Sequence, residues 1–190
     1  MLATLLAFDI IPQDEVPAPV ASGEPVTVDD VKLHCRIDLD VEDALIAQKI
    51  KSAREWVEIF TGRIVVRRSV SEFFNRWGAY IALRWRPIAS IDQINYLSSS
   101  GSEPYAAARI TLEPYPTRIY PASGRFPSHQ PGDVIEVAYT AGYSLEDVPH
   151  VMIEAILTLT GGLLSKREGG YEEAITSAKN ILRDMRRRVL

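Results

Sequence analysis

The side chains of this 190-residue chain best suited to chemistry are three histidines and a single cysteine. They are His34, His129, His150 and Cys35. The histidines lack the H-E-x-x-H spacing of a zinc-binding helix, and none forms an evident pair with Cys35 or with a serine nucleophile. A lone cysteine also excludes an internal disulfide and a metal site built from several cysteines. We therefore expect His34 and His150 to be structural or exposed, Cys35 to be a small core filler, and the chain not to be an enzyme.

An acidic cluster near the start is the main candidate for a cation site. It contains Asp38, Asp40, Glu42 and Asp43, but its spacing departs from an EF-hand loop and lacks the central glycine. Helix capping explains these residues more simply, with Asp40 as the N-cap and negative charge in the first turn. The glycines form neither G-x-G-x-x-G nor a Walker loop. We expect no metal and no cofactor.

The segment Arg84-Trp85-Arg86 has the composition of a stacking platform for nucleic acid, in which aromatic faces bind bases and cations bind phosphate. In a strand, however, alternate residues face opposite sides. Leu83 and Trp85 then pack on one face, while Arg84 and Arg86 point to the other. We favour sheet packing for this segment over nucleic-acid binding.

Charge is distributed unevenly along the chain. The net charge is −4, which argues against a surface that attracts nucleic acid everywhere. Residues 1–60 hold twelve acidic and five basic side chains. The C-terminus is basic, with Lys179, Arg183, Arg186, Arg187 and Arg188 against Asp184 alone. Such a bipolar subunit can meet different partners at its two ends, although a basic terminal helix also occurs in proteins without such partners.

Residues 1–25 hold four of the twelve prolines, and proline favours an extended arm over a packed element. The apolar tip of the arm, which includes Leu5 and Phe8, either docks on a neighbour or belongs to a disordered terminus. The tip lacks the basic leader of a secretory signal. Neither the tip nor residues 151–164 has about 18 uninterrupted apolar residues, so we expect no membrane segment.

Two helices are predicted after the arm. Thr27 and Asp30 have the spacing of a capping box that begins a short helix, and a longer helix runs from Asp40 to Gly62. Apolar residues of the longer helix recur at three- and four-residue spacing, opposite a charged face. The predicted buried stripe is Leu45, Ile46, Ile50, Ala53, Trp56, Val57 and Phe60. The predicted charged face is Lys49, Lys51, Arg54, Glu55 and Glu58.

Period-two alternation indicates a β-rich region over residues 63–140. It includes Ile64, Val66, Val70 and Phe73 on a first strand, and further strands at 80–85, 91–97, 109–112, 118–120 and 134–142. The stretch 102–132 holds six prolines, and so long a segment of weak periodicity either contacts a partner or packs on itself as a surface insert.

Two further helices, at 147–167 and 171–190, complete the predicted fold. Asp147 is the expected N-cap of the first of them. Within that helix Gly161 and Gly162 mark either a bend or a close approach of another backbone, because each costs about 1 kcal/mol of helix propensity relative to alanine.

Three segments arrive in a specific order: PVTVDDVKLHCRIDLDVEDALI (25–46), LRWRPIASIDQINYL (83–97), and VIEVAYTAGYS (134–144) before a helix that starts near Pro149. In this order they resemble the head-tail connector, or adaptor, proteins of tailed bacteriophages and phage-like particles. The resemblance covers roughly residues 24–168.

The resemblance implies an α+β fold: a helical bundle of two N-terminal and two C-terminal helices with an inserted antiparallel β-rich region. Residues 26–190 would form a single connector domain behind the arm. It implies a structural virion protein made in the bacterial cytoplasm and located in the particle neck. There a homo-oligomeric ring, commonly a dodecamer, would join the portal protein to a stopper or tail-terminator protein and let double-stranded DNA pass.

Two sets of contact residues follow from this hypothesis. The basic end would contact the portal or DNA, through Lys179, Arg183, Arg186, Arg187, Arg188 and Leu190. A neighbouring subunit or the next neck protein would contact Leu5, Phe8, Tyr105, Tyr115, Tyr120 and Phe126. The alternative hypothesis is a DNA-binding packaging accessory protein that uses the basic C-terminus.

Overall fold

The structure is a computed structural model with two compact units. It describes residues 23–38, 42–98, 101–105, 108–111, 117–121, 124–126, 128, 133–165 and 170–185. The helical unit is formed within Ala18–Arg67 and Gly142–Leu190, and the β unit within Arg68–Ala141. This confirms the predicted α+β fold, in which an antiparallel β-rich region is inserted into a helical bundle.

Four α-helices lie in the described part of the helical unit. They are α1 Val28–Cys35, α2 Asp43–Thr61, α3 His150–Leu164 and α4 Gly170–Ile181. Short 3₁₀ turns at Leu145–Asp147 and Arg183–Met185 precede α3 and follow α4. The apolar faces of the helices meet in one core, which includes Val31, Ile46, Ile50, Val57, Met152, Ile156, Leu159, Ala178 and Leu182. Cys35 packs half-buried against this core, as expected for a small filler.

The helix ends follow the sequence signals in two places and depart from them in a third. The capping box of α1 is present: the Asp30 backbone N–H donates to Thr27 Oγ1 at 3.1 Å, and the Thr27 N–H donates to Asp30 Oδ2 at 2.8 Å. The hydrogen bonds from Thr27 lower the pKa of Asp30. Gly62 ends α2 with φ of 65°, a conformation that glycine adopts without steric cost. The predicted cap Asp40 lies outside the described residues, and Glu42 occupies the N-cap position of α2 without a side-chain cap bond.

The start of α3 also differs from the prediction. Asp147 is not the N-cap: it lies in the 3₁₀ turn, where its carboxylate accepts from the Ser144 hydroxyl. Pro149 takes the N-cap position. The cause is local, since a residue before proline is pushed out of the α region, and Val148 has ψ of 122°.

Of the two roles predicted for Gly161 and Gly162, the structure shows the close approach of a neighbouring helix. The helix α3 continues through both residues. A Cβ added at Gly162 would lie 2.3 Å from the Cβ of Ala174 on α4. One added at Gly161 would lie 3.2 Å from Cys35 Sγ on α1. The pair therefore lets α3 pack closely against both neighbouring helices.

The described part of the β unit has two antiparallel sheets. The strands are β1 Arg68–Phe74, β2 Ile81–Ala82, β3 Ile88–Ser98, β4 Gly101–Pro104, β5 Ala108–Thr111, β6 Arg118–Pro121 and β7 Val134–Ala141. The large sheet has the order β1-β7-β3-β4, and the small sheet has the order β2-β6-β5. Along β7 the side chains alternate between buried and half-exposed, as its sequence predicts.

Three details of the strand prediction need correction. Ile64 and Val66 are buried but precede β1, in the helical unit. Within β1 the buried positions include Glu72 and Phe74, whereas Phe73 is half-exposed, because alternation from Val70 passes through 72 and 74. The strand predicted at 80–85 is paired as β2 over two residues. Beyond β2, Leu83 and Trp85 are buried and Arg84 is exposed, as expected from alternation.

The chain leaves the helical unit and returns to it at adjacent points. The Arg67 N–H donates to the Tyr143 carbonyl at 2.9 Å, and Val66 and Tyr143 form an isolated parallel bridge. Between them Gly142 has φ of 104°, and an added Cβ would lie 2.8 Å from the backbone of Arg67. This position therefore requires glycine for both its conformation and its space.

Candidate assembly surfaces

A buried ionic network lies in the helical unit, where the sequence predicted an exposed charged face. Arg54 is 1% exposed and Glu58 is 0% exposed. Arg54 Nη1 donates to Glu58 Oε2 at 3.0 Å, and Arg54 Nε donates to Glu24 Oε2 at 2.8 Å. Glu58 Oε1 accepts from the Val65 N–H at 2.8 Å. The prediction that Arg54 and Glu58 belong to the solvent face is therefore wrong, because their charges and hydrogen bonds are satisfied internally.

This network also holds Glu24, near the point where the N-terminal arm joins the helical unit. Glu24 is joined to α2 through Arg54, and only Gly23 separates it from residues 1–22, which lie outside the described residues. At Gly23, which has φ of 90°, an added Cβ would lie 3.8 Å from Leu145 Cδ1. The arm consequently departs from a defined point on the helical unit.

An aromatic cluster in the β unit contains two of the predicted contact residues, Tyr105 and Phe126. The ring of Phe126 stacks on Trp77 with centroids 4.4 Å apart, and Tyr105 lies 5.3 Å from Trp77 and 5.8 Å from Phe126. Tyr96 stacks on the same indole at 6.1 Å. Phe126 is 7% exposed and Tyr105 is half-buried. Both rings thus stabilise the loops of their own unit, and a role in contacts with other proteins stays a prediction.

The small sheet presents a second aromatic surface. Because Ile81 is paired with Ile119 and Ala82 with Arg118, alternate residues divide between two faces. Ile81 and Ile119 are buried on one face. The other face carries Tyr80, Ala82, Arg118 and Tyr120, all partly exposed. We call this the tyrosine–arginine face.

Contacts within the tyrosine–arginine face hold its side chains together. The rings of Tyr80 and Tyr120 lie 5.7 Å apart, and the Arg118 guanidinium lies 4.8 Å from the centroid of the Tyr80 ring. Arg118 Nε is itself buried and has no hydrogen-bond acceptor among the described residues. Tyrosine and arginine are the types enriched at energetically important positions of protein interfaces. Tyr120 was a predicted contact residue; Tyr80 and Arg118 were not, and their position on this face follows from strand register.

A buried carboxylate supports the β unit from inside. Glu72 on β1 is 3% exposed and accepts hydrogen bonds from the Tyr139 hydroxyl and from the Arg84 N–H. Burial raises the pKa of Glu72, although these hydrogen bonds oppose that shift. Burial and the nearby Glu72 carboxylate raise the pKa of Tyr139. Glu72 is thus a structural group that links β1, β7 and the segment after β2.

The basic C-terminal end is described only in part. Lys179 is exposed on α4, and the Arg183 side chain, 82% exposed, lies in the following 3₁₀ turn. The remaining predicted contact residues, Arg186, Arg187, Arg188, Leu190, Leu5, Phe8 and Tyr115, lie outside the described residues. Both side chains are thus exposed, with Arg183 Nε 3.8 Å from Asp184 Oδ1, and their contact with the portal or with DNA stays a prediction.

In the described ranges no group of histidine, cysteine and carboxylate side chains could hold a metal ion. The helices found there are too short or too polar to cross a membrane.

Comparison with known proteins gives a family match over part of the chain and a similar fold over most of it. Residues 25–85 match the family described as phage gp6-like head-tail connector protein. No curated protein matches the chain. The family match confirms, over these residues, the resemblance to head-tail connectors that was inferred from the sequence.

Several solved structures have a similar fold. A chain in the neck of an empty gene transfer agent particle, computed with C6 symmetry, has a TM-score of 0.75 and 22% identity, covering 87% of this chain and 92% of that one. A chain in the virion of a native gene transfer agent particle has a TM-score of 0.72 and 23% identity, covering 93% of this chain and 96% of that one. A chain in the neck of a native gene transfer agent particle, computed with C12 symmetry, has a TM-score of 0.72 and 20% identity. The match covers 93% of this chain and 96% of that one. These similarities establish a shared fold over nearly the whole chain.

Proposed function

We propose that this chain is a structural subunit of the neck of a tailed phage or phage-like particle. As an adaptor, it forms a ring between the portal protein and the stopper or tail, and DNA passes through that ring. The observation that carries the proposal is the fold shared over 87% of the chain with a protein of a particle neck. The family match at residues 25–85 supports it independently.

A dodecameric ring is the assembly we propose. The similar neck structures were computed with C6 and C12 symmetry. A ring made from identical subunits uses two different surfaces of each subunit, and it closes when the rotation between neighbours is right. A chain with an arm fixed at Glu24, a basic C-terminal end and a separate β unit offers distinct surfaces for such contacts.

We assign the basic end to the portal. Lys179 and Arg183 are exposed where α4 ends and lead into the arginines of the C-terminus. Cations near a helix C-terminus are favoured by the helix dipole, and exposed charges of this kind steer and orient a partner more than they add affinity.

The test is removal of the gene from the host that produces the particles, followed by electron microscopy and quantitative mass spectrometry of the purified particles. We expect heads without tails in the deletion strain, tailed particles after complementation, and about twelve copies per complemented particle, the number of a C12 ring. Tailed particles of normal yield from the deletion strain would overturn the proposal.

A charge-reversal variant separates the adaptor from the DNA-binding packaging accessory protein. In Lys179→Glu/Arg183→Glu we expect fewer complete necks while the amount of DNA packaged per head stays the same. The matched control is Lys51→Glu, which reverses an exposed charge on α2. A loss of packaged DNA in heads that still carry tails would instead support the accessory protein.

A further inference from the structure

The tyrosine–arginine face of the small sheet has the chemistry of a binding surface for an extended, proline-rich and acidic segment. Aromatic side chains pack well against proline rings, and aromatic-lined surfaces recognise the polyproline II conformation without a large entropic cost. Arg118 adds a cation, and its guanidinium carbon lies 4.8 Å from the centroid of the Tyr80 ring. On the adjacent strand β5, Arg109 is paired in register with Tyr120.

The chain itself contains a segment with the complementary composition. Residues 9–22, DIIPQDEVPAPVAS, hold three prolines and three carboxylates, and residues 1–22 contain no lysine or arginine. Proline at 12, 17 and 19 favours polyproline II. The acidic groups Asp9, Asp14 and Glu15 complement the guanidinium of the face.

We propose that the arm of one subunit, through residues 9–22, binds the tyrosine–arginine face of a second copy. At about 3.1 Å per residue in polyproline II, residues 9–22 extend about 43 Å from Gly23. The anchor at Glu24 and Arg54 tethers the arm, and tethering raises its effective concentration at a nearby site to about the millimolar range. The exchange joins two different surfaces of the same chain, as ring closure requires.

This inference rests on the proposed ring, and its test is separate. In the full-length protein, Val16 is replaced by the photoreactive amino acid p-benzoylphenylalanine. Equal amounts of unlabelled and ¹⁵N-labelled protein are assembled and irradiated, and the crosslinked peptides are identified by mass spectrometry. We expect crosslinks from residue 16 to peptides that contain β2 or β6, with arm and sheet peptides of different isotopic label.

The expected effect of Arg118→Glu is about a tenfold lower yield of these crosslinks, the size of loss common for an arginine at an interface centre. Arg118→Gln should lower the yield less, because it removes the charge without adding repulsion. The control Lys51→Glu, on α2, should leave the yield unchanged. Circular dichroism of each variant verifies that the fold is intact.

Three results would overturn the inference. Crosslinks between peptides of the same label alone would show that the arm binds its own chain. A yield that is equal in Arg118→Glu and the parent would show that the face is not the site. If Arg118→Glu weakens binding of a fluorescent DNA duplex and leaves the crosslinks unchanged, the face binds nucleic acid instead. Each of these is compatible with a subunit that still occupies the neck, so the proposed function would stand.

Discussion

Glu58 in the helical unit and Glu72 in the β unit are both buried carboxylates, and the two units stabilise them in different ways. Glu58 meets a buried cation, since Arg54 Nη1 donates to it at 3.0 Å. The hydrogen bonds of Glu72 come from neutral donors, the Tyr139 hydroxyl and the Arg84 backbone N–H. Removing one partner of a buried ion pair strongly destabilises a protein, because the other charge is left without its partner. A buried carboxylate held by neutral donors can instead become protonated.

The difference extends to the contacts that surround the two carboxylates. In the helical unit the fixed charges and the close contact at Gly162 leave little room for change. In the β unit, aromatic rings and one protonatable carboxylate provide the corresponding contacts.

The largest effect is expected at the ion pair. Glu58→Ala should lower the free energy of unfolding by about 3–5 kcal/mol, because, among the described residues, it removes the one fully buried partner of Arg54 and leaves only the partly exposed Glu24 and Glu55. Chemical denaturation followed by far-ultraviolet circular dichroism, which reports the helices, measures it. The comparison variant is Glu55→Ala on the same helix. Glu55 Oε1 also lies 3.7 Å from Arg54 Nη2, but its side chain is 56% exposed, so the loss of this pair should cost under about 1 kcal/mol.

A double substitution sharpens this result. Arg54→Met with Glu58→Leu removes both charges and should recover part of the stability that Glu58→Ala loses, as found when buried ion pairs are replaced by apolar residues. The remaining loss comes from the buried Val65 N–H, which no longer has its acceptor. If Glu58→Ala and Glu55→Ala are equally stable, the buried carboxylate of Glu58 contributes no more to stability than the exposed carboxylate of Glu55.

A smaller loss is expected at the contact between α3 and α4. Gly162→Ala should lower the free energy of unfolding by about 1–3 kcal/mol, the usual cost of overpacking, because the added Cβ would lie 2.3 Å from Ala174. Gly161→Ala is the matched control: its nearest neighbour is the Cys35 sulfur at 3.2 Å, and the gain in helix propensity of up to about 1 kcal/mol offsets that contact. Thermal unfolding of both variants measures the difference. If Gly162→Ala is as stable as Gly161→Ala, the bundle is less rigid than the structure indicates.

The smallest effect is a pH dependence that comes from Glu72. Its pKa in the folded protein is raised above the ordinary 4.5, so the folded state binds a proton more readily than the unfolded state does. The contribution of this group to stability is therefore fully present below about pH 4.5 and is lost as the pH rises through the folded-state pKa.

Glu72→Gln isolates this contribution. The parent, relative to Glu72→Gln, should gain stability between neutral pH and about pH 5, as measured by denaturant unfolding at both values. Background titration of the other carboxylates cancels in the difference between the two proteins. A parent that loses stability relative to the variant on acidification would show that Glu72 is held as an anion, like a charge-paired carboxylate.

Local signals in the sequence predicted the elements that depend on neighbouring residues. Thr27 and Asp30 begin α1, and Gly62 ends α2, because capping is a matter of a few adjacent residues. The alternation in β7 likewise predicted a strand with one buried face. The start of α3 was wrong by a few residues because the effect of Pro149 on Val148 prevailed over the capping preference of Asp147.

The features that depend on distant residues could not be predicted in this way. Arg54 and Glu58 have the composition of a solvent face, and their burial depends on Glu24 and the Val65 N–H. Glu72 accepts a hydrogen bond from Tyr139, which lies 67 positions later in the chain. Tyr80 and Tyr120 come together only through the register of β2 with β6. Single-sequence periodicity has no information about these pairings.

The hydrogen bond from Arg67 to Tyr143, at 2.9 Å, has a consequence for how such proteins diversify. A polypeptide whose two ends emerge side by side behaves like a cassette: recombination can lengthen it, shorten it or exchange it while the host bundle keeps its closure. Exchange of residues 68–141 would leave the bundle intact provided that Gly142 is retained, because this position has no room for a Cβ next to Arg67.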